Sequence, residues 1–153
     1  SCPAGTWAGY DDVECQACLP GTYSTQVGAT SVTACVRCPA GSWSAVTGAS
    51  VPEVCVSCPA GTWSDTAGAT SAENCTACEA GTYSGTLGAS SQLQCFGCPA
   101  GTWSNETGAT SVASCVSCPT GTYQPSTGAT TSAACQRCDP GKYSSLVGAT
   151  AKE

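Results

Sequence analysis

The stretch Cys98-Pro-Ala-Gly-Thr-Trp-Ser-Asn-Glu-Thr-Gly-Ala-Thr-Ser-Val-Ala-Ser-Cys115 constrains the chain more than any other feature, because it recurs every 20 residues. A period of this length marks an array of small units that bury surface against their neighbours. Opening cysteines stand at Cys18, Cys38, Cys58, Cys78, Cys98, Cys118 and Cys138, and Cys2 heads a shorter first unit. Closing cysteines stand at Cys15, Cys35, Cys55, Cys75, Cys95, Cys115 and Cys135. The aromatics Trp7, Tyr23, Trp43, Trp63, Tyr83, Trp103, Tyr123 and Tyr143 keep the same step, each two residues after a glycine. A second glycine recurs from Gly28 to Gly148, followed by Ala and then Thr or Ser. The array divides into a shortened first repeat (1–17), repeats at 18–37, 38–57, 58–77, 78–97, 98–117 and 118–137, and an incomplete last one (138–153).

Such a chain lacks the means to build an ordinary core. It has no Met, a single Phe, Phe96, and only four Leu. Burial alone then cannot offset a conformational entropy cost of roughly 1–2 kcal/mol per residue. The 15 cysteines among 153 residues reach the density of a disulfide scaffold, which persists in oxidising compartments. An extracellular or cell-surface location follows.

Cysteine arithmetic favours one pairing. If each opening cysteine meets the next closing one, the bridges are Cys2 with Cys15, Cys18 with Cys35, Cys38 with Cys55, Cys58 with Cys75, Cys78 with Cys95, Cys98 with Cys115, and Cys118 with Cys135. Cys138 alone is left over, and its partner on the period would fall just past Glu153. Pairing each closing cysteine with the opening one 23 residues on would instead strand Cys2, Cys18 and Cys135. A zinc reading also exists, since Cys15-x-x-Cys18 and Cys35-x-x-Cys38 have four-cysteine spacing. In that reading every pair is claimed by two neighbours at once, so neither metal nor any other cofactor is expected. A Cys-x-x-Cys redox centre lacks its βαβ setting and polarised thiolate.

In the favoured pairing most bridges close loops of 17 residues, each worth on the order of 3 kcal/mol in the chain-entropy treatment. The expected fold is therefore a small, disulfide-rich, β-containing tandem repeat, an elongated rod with little or no helix and no large hydrophobic core. Short strands are expected around Thr-Trp-Ser and before each closing cysteine, in hairpins of about six residues a side. Proline should preset the turn after the opening cysteine, and glycine should let the chain pass beneath the aromatic ring. The rings should pack as a small core at repeat junctions.

The recurrent Cys-x-x-Cys-Pro-Ala-Gly-Thr-Tyr/Trp-Ser, as in Cys55-Val-Ser-Cys58-Pro-Ala-Gly-Thr-Trp63-Ser, resembles the ephrin-receptor-like cysteine-rich repeat. The resemblance covers essentially the whole chain. It implies an extracellular array of disulfide-laddered modules, and it brings no catalytic residues.

Charge and residue chemistry exclude several functions. Ten acidic residues face only Arg37, Arg137, Lys142 and Lys152, too few cations for nucleic-acid binding. The chain has no His to serve as a base, and its only carboxylate cluster, Asp11, Asp12 and Glu14, has no calcium-loop pattern. An enzyme is not expected. No apolar run approaches the ~18–20 residues of a membrane span. Ser1 in place of Met suggests a processed segment, with any signal or anchor outside it. Both asparagines, Asn105 and Asn74, open N-glycosylation triplets, and Asn74 abuts a bridging cysteine, which makes Asn105 the better acceptor. Covalent glycans, and self-association or continuation of the array, are thus the expected partners. Two functions remain: a structural repeat that forms or decorates a surface filament, stalk or wall, and a receptor or adhesin ectodomain that presents a binding site. A remote third is an ice-binding face built from Thr22, Thr62, Thr82, Thr102 and Thr122.

Overall fold

A computed structural model of the chain describes residues 1–11 and 13–151. By contact density the chain forms two compact units, one of Ser1–Pro59, Trp63–Thr76 and Leu87–Ser91, the other of Ala60–Thr62, Ala77–Thr86 and Gln92–Glu153.

Within a module the local structure follows from turn chemistry. In Pro39-Ala40-Gly41-Ser42 the amide of Ser42 donates to the carbonyl of Pro39 at 3.1 Å, and Gly41 lies at φ 80°. That is a type II turn, whose third residue must take a positive φ. Proline sits at the first corner, not the second, where it would have preset the turn angle. What it supplies is an acceptor, and the Ser42 hydroxyl donates to the same carbonyl at 2.7 Å. Thr6, Thr22, Thr82, Thr102 and Thr122 bond the equivalent carbonyl in the same way.

The turn leads into a two-residue strand, and the strand finds its partner between the cysteines of the following Cys-x-x-Cys. In the first unit Thr6–Trp7 pairs antiparallel with Gln16–Ala17, Thr22–Tyr23 with Val36–Arg37, and Ser42–Trp43 with Val56–Ser57. In the second, Thr82–Tyr83 pairs with Phe96–Gly97, Thr102–Trp103 with Val116–Ser117, and Thr122–Tyr123 with Gln136–Arg137. The hairpins are thus far shorter than six residues a side, and the second strand follows the closing cysteine where the sequence suggested it would precede it. The segment before that cysteine is a single 3₁₀ turn, as in Val32–Ala34 and Val112–Ser114. The cause is local: the Cys35 amide donates back to the Val32 carbonyl at 3.0 Å, and Ser31 caps the turn through its hydroxyl.

Seven disulfides join Cys2 to Cys15, Cys18 to Cys35, Cys38 to Cys55, Cys58 to Cys75, Cys78 to Cys95, Cys98 to Cys115 and Cys118 to Cys135. Their Cα separations of 5.5–5.7 Å need no backbone adjustment. No helix among the described residues is long and apolar enough to cross a membrane.

The interior is built from the smallest side chains. Cys18, Cys38, Cys58, Cys78, Cys98 and Cys118 are buried, together with Ala29, Ala49, Ala69, Ala89 and Ala109, and Ser24, Ser44, Ser64, Ser84 and Ser104. The aromatics are not the core that the sequence suggested. Trp7 through Tyr123 are half-buried, and Tyr143 is 83% exposed. A backbone seam that brings modules within contact of Cys, Ala and Gly leaves no room for a ring inside it.

Candidate functional site

The seam is the feature that every module repeats. In the first unit Gly21 N donates to Ser44 O (2.7 Å), Ser24 N to Ala49 O (3.0 Å), Gly48 N to Cys18 O (2.7 Å) and Cys38 N to Gly21 O (2.8 Å). The same four bonds recur in the second unit, where Gly81 N meets Ser104 O, Ser84 N meets Ala109 O, Gly108 N meets Cys78 O, and Cys98 N meets Gly81 O. A parallel bridge between Tyr23 and Ala49, and between Tyr83 and Ala109, completes each junction.

Each module also touches the one two places on. A Cβ built on Gly41 would overlap the carbonyl oxygen of Gly88, and one on Gly61 would overlap that of Gly108. At Gly5, Gly21, Gly41, Gly61, Gly81 and Gly101 the first glycine of the module is therefore needed for close approach to a distant turn. It does not make room for the aromatic ring, as its position beside that ring had suggested.

The buried serine closes a smaller circuit. Ser44 Oγ accepts the amide of Val46 at 3.2 Å, and Ser24, Ser64, Ser84, Ser104 and Ser144 accept the matching amide in their modules. Where Gln124 replaces serine, its Oε1 reaches the Ser126 amide at 3.0 Å and does the same work. Among the described residues no buried side-chain polar atom lacks a partner.

Outside the seam the acidic side chains of the described residues form no convergent cluster. A groove of about 430 Å³ runs past Trp7, Leu19, Thr22, Val32 and Arg37 in the first unit. Across the strand pairs, half-buried aromatics stand opposite exposed partners such as Val36, Val56 and Val116, and Tyr83 packs its ring 6.3 Å from that of Phe96. Asp11 and Glu14 are exposed, and Asp12 lies outside the described residues. No group of three or more metal-ligating side chains forms among the described residues. The cysteines of the zinc reading are engaged elsewhere, Cys15 with Cys2 and Cys18 with Cys35. The ice-binding reading needs outward hydroxyls, and those of Thr22, Thr82, Thr102 and Thr122 are turned into their own turns.

Cys138 is a half-buried free thiol. Asn105 lies exposed in the loop after Trp103. Asn74 is also exposed, but it ends a 3₁₀ turn and its Oδ1 accepts from the amides of Thr70 and Ser71 at 3.3 and 3.2 Å. The roles of the buried serine and alanine were not read from the sequence, although their strict recurrence was there to see.

A family model described as tyrosine-protein kinase ephrin type A/B receptor-like matches residues 68–115 and again residues 112–153, together more than half of the chain. No curated protein matches it.

Proposed function

Because this chain belongs to the ephrin-receptor-like cysteine-rich repeat family, we propose that it is a structural extracellular protein whose tandem modules form or decorate a surface filament, stalk or wall. Seven disulfides call for an oxidising compartment. The observation that carries the reading is the seam. In each unit the repeated positions join one module to the next through backbone groups, while exposed positions such as Thr25, Ala45, Asp65 and Asn105 change from module to module. A sequence that repeats its joints and varies its surface is adapted to extension. The array has no catalytic role and carries an N-glycan at Asn105, the exposed acceptor, more than at Asn74, whose amide is engaged.

The test is localisation at fibre resolution. Gold-labelled antibody to the chain is expected to decorate extracellular fibres or wall in thin sections of intact cells. Label confined to a detergent-soluble receptor, with no ordered material beside it, overturns the proposal in favour of a ligand-presenting ectodomain.

A further inference from the structure

One copy of the motif departs from its siblings at a position whose side chain the fold leaves free. The residue after the opening cysteine is proline in five copies, Pro3, Pro39, Pro59, Pro99 and Pro119, and acidic at Glu79 and Asp139, but in the second module it is Leu19. The turn uses the carbonyl of this residue, which accepts from the Thr22 amide at 3.1 Å and from the Thr22 hydroxyl at 2.7 Å. The leucine side chain has no part in that, and it stands 69% exposed. It forms one wall of the groove of about 430 Å³ in the first unit, where half-buried Trp7 and exposed Val32 supply the other apolar walls.

The polar residues of the groove divide into two kinds. The Thr22 hydroxyl is bonded into its turn, and the Thr33 hydroxyl bonds Ser31 Oγ at 3.0 Å. Among the described residues, by contrast, the Gln16 carboxamide and the Arg37 guanidinium bond no other protein group, and Arg37 is the one charged residue on the groove. Arg37 is held by its stem: a Cβ built on Gly68 would lie 3.3 Å from both its Cγ and its Cδ, so the aliphatic part packs on that turn. The stem is buried against apolar surface while the charged head stays available, the usual way a long cation is placed. An arginine by itself does not make the site. At the matching positions beside Trp103 the chain has Pro119, Ser132 and Arg137, a cation without the apolar wall.

We propose that this groove binds a small amphipathic monocarboxylate, an apolar body the size of an aromatic ring that carries a single carboxylate. The body lies among Trp7, Leu19 and Val32, and the carboxylate accepts from the Arg37 fork and from the Gln16 carboxamide. Charge selects the sign, because a guanidinium with no acid beside it on the groove is complementary to an anion. It also selects the magnitude, since one cation balances a carboxylate and leaves a phosphate dianion half-neutralised. Size selects a small molecule. Nine residues line the groove, and its volume falls in the range of about 300–1,000 Å³ for small-ligand pockets, whereas a stable protein interface takes about 20–30 residues a side. The site does not depend on where the array is displayed or on whether it forms fibres.

The test is a titration of the full nitrogen-labelled chain with 3-phenylpropionate and, separately, with its uncharged isostere 3-phenylpropionamide, followed by backbone amide chemical shifts. Saturable shifts are expected at Gln16, Leu19, Thr33 and Arg37, with the amide probe bound about tenfold more weakly. Arg37→Ser, which installs the residue found at Ser57 and Ser117, should bring the carboxylate down to the affinity of the amide, and Arg137→Ser should leave it unchanged. Leu19→Pro, which restores the commoner residue, should weaken both probes alike. Each variant carries a residue that sibling modules already fold with, so a change in binding reads the groove and not the fold. No saturable shift up to about 10 mM, equal affinity for the two probes, or an Arg137→Ser effect matching that of Arg37→Ser overturns the proposal.

Discussion

Gly41 and Gly141 occupy the same place in two copies of one motif and adopt nearly the same backbone, φ 80° and 84°. Their surroundings differ completely. A Cβ on Gly41 runs into the carbonyl of Gly88, whereas one on Gly141 meets nothing within 4 Å. Gly121 resembles Gly141, and Gly5, Gly21, Gly61, Gly81 and Gly101 resemble Gly41. The motif thus requires glycine for two separable reasons. Every copy needs the left-handed turn, but only copies with a module stacked two places on need the missing side chain. The two reasons separate at Gly121 and Gly141, where no described module lies two places on.

The sharpest way to break the comparison is to place alanine at both sites. Gly141→Ala should cost about 1–2 kcal/mol, the penalty for a Cβ in the left-handed region. Gly41→Ala should cost about 4 kcal/mol or more, because backbone lies where the methyl must go and the seam has to open. Repeat arrays melt in parts, so amide exchange reads the effect better than a single midpoint. The amides of Gly41, Ser44 and Gly68, which bond Ser64, Ala69 and Cys38, should lose protection in Gly41→Ala and keep it in Gly141→Ala. Equal loss in both would mean that dihedral strain alone governs the site.

Next in size is the disulfide. Removing both halves of the Cys58 to Cys75 bridge as Cys58→Ser with Cys75→Ser should cost about 3 kcal/mol for its 17-residue loop. Cys58 is fully buried whereas Cys75 is partly exposed, so the paired serines also leave a polar group at the seam. Exchange should rise first at Gly88, whose amide bonds the Cys58 carbonyl, and at Ser64 beside it. If Gly88 keeps its protection, the seam holds without its bridge and the cross-link is not what stabilises the module.

The period, the cysteine frame and the need for turns were legible in the sequence because each is a local or covalent fact. A Pro-Ala-Gly-Thr run dictates its own turn whatever surrounds it. What the sequence hid was contact between modules. Nothing in the spelling of Gly41 names Gly88, and nothing in Ala49 announces that its carbonyl accepts from Ser24 of the preceding module. The aromatics misled for the same reason. Large rings are the usual fillers of a core, and only the closeness of the backbones here leaves them at the surface. The second strand was misplaced because two-residue ladders carry too few side chains for a period-two pattern to show.

A smaller effect tests that closeness. Ala49 is 3% exposed at its junction, and the added methyl groups of Ala49→Val should cost about 1–3 kcal/mol by overpacking. The same change at Ala129, which is only half-buried, should cost less. Urea unfolding followed by Trp fluorescence can rank the two. A reversed order would mean that junctions in the second unit are the tighter ones.

The smallest effect concerns the circuit that serine and glutamine share. Ser44 and Gln124 differ in length, yet each offers an oxygen to the amide two residues on, at 3.2 and 3.0 Å. If that bond is the whole reason for the position, Gln124→Ser should be nearly neutral, because serine fills the place in six other modules with the same acceptor. Gln124→Ala, which leaves the Ser126 amide without its acceptor, should cost about 1 kcal/mol. Exchange at Ser126 separates the two variants: protection is retained with serine and lost with alanine. Loss with both would mean that Pro125 holds the loop in a shape only the longer side chain can reach.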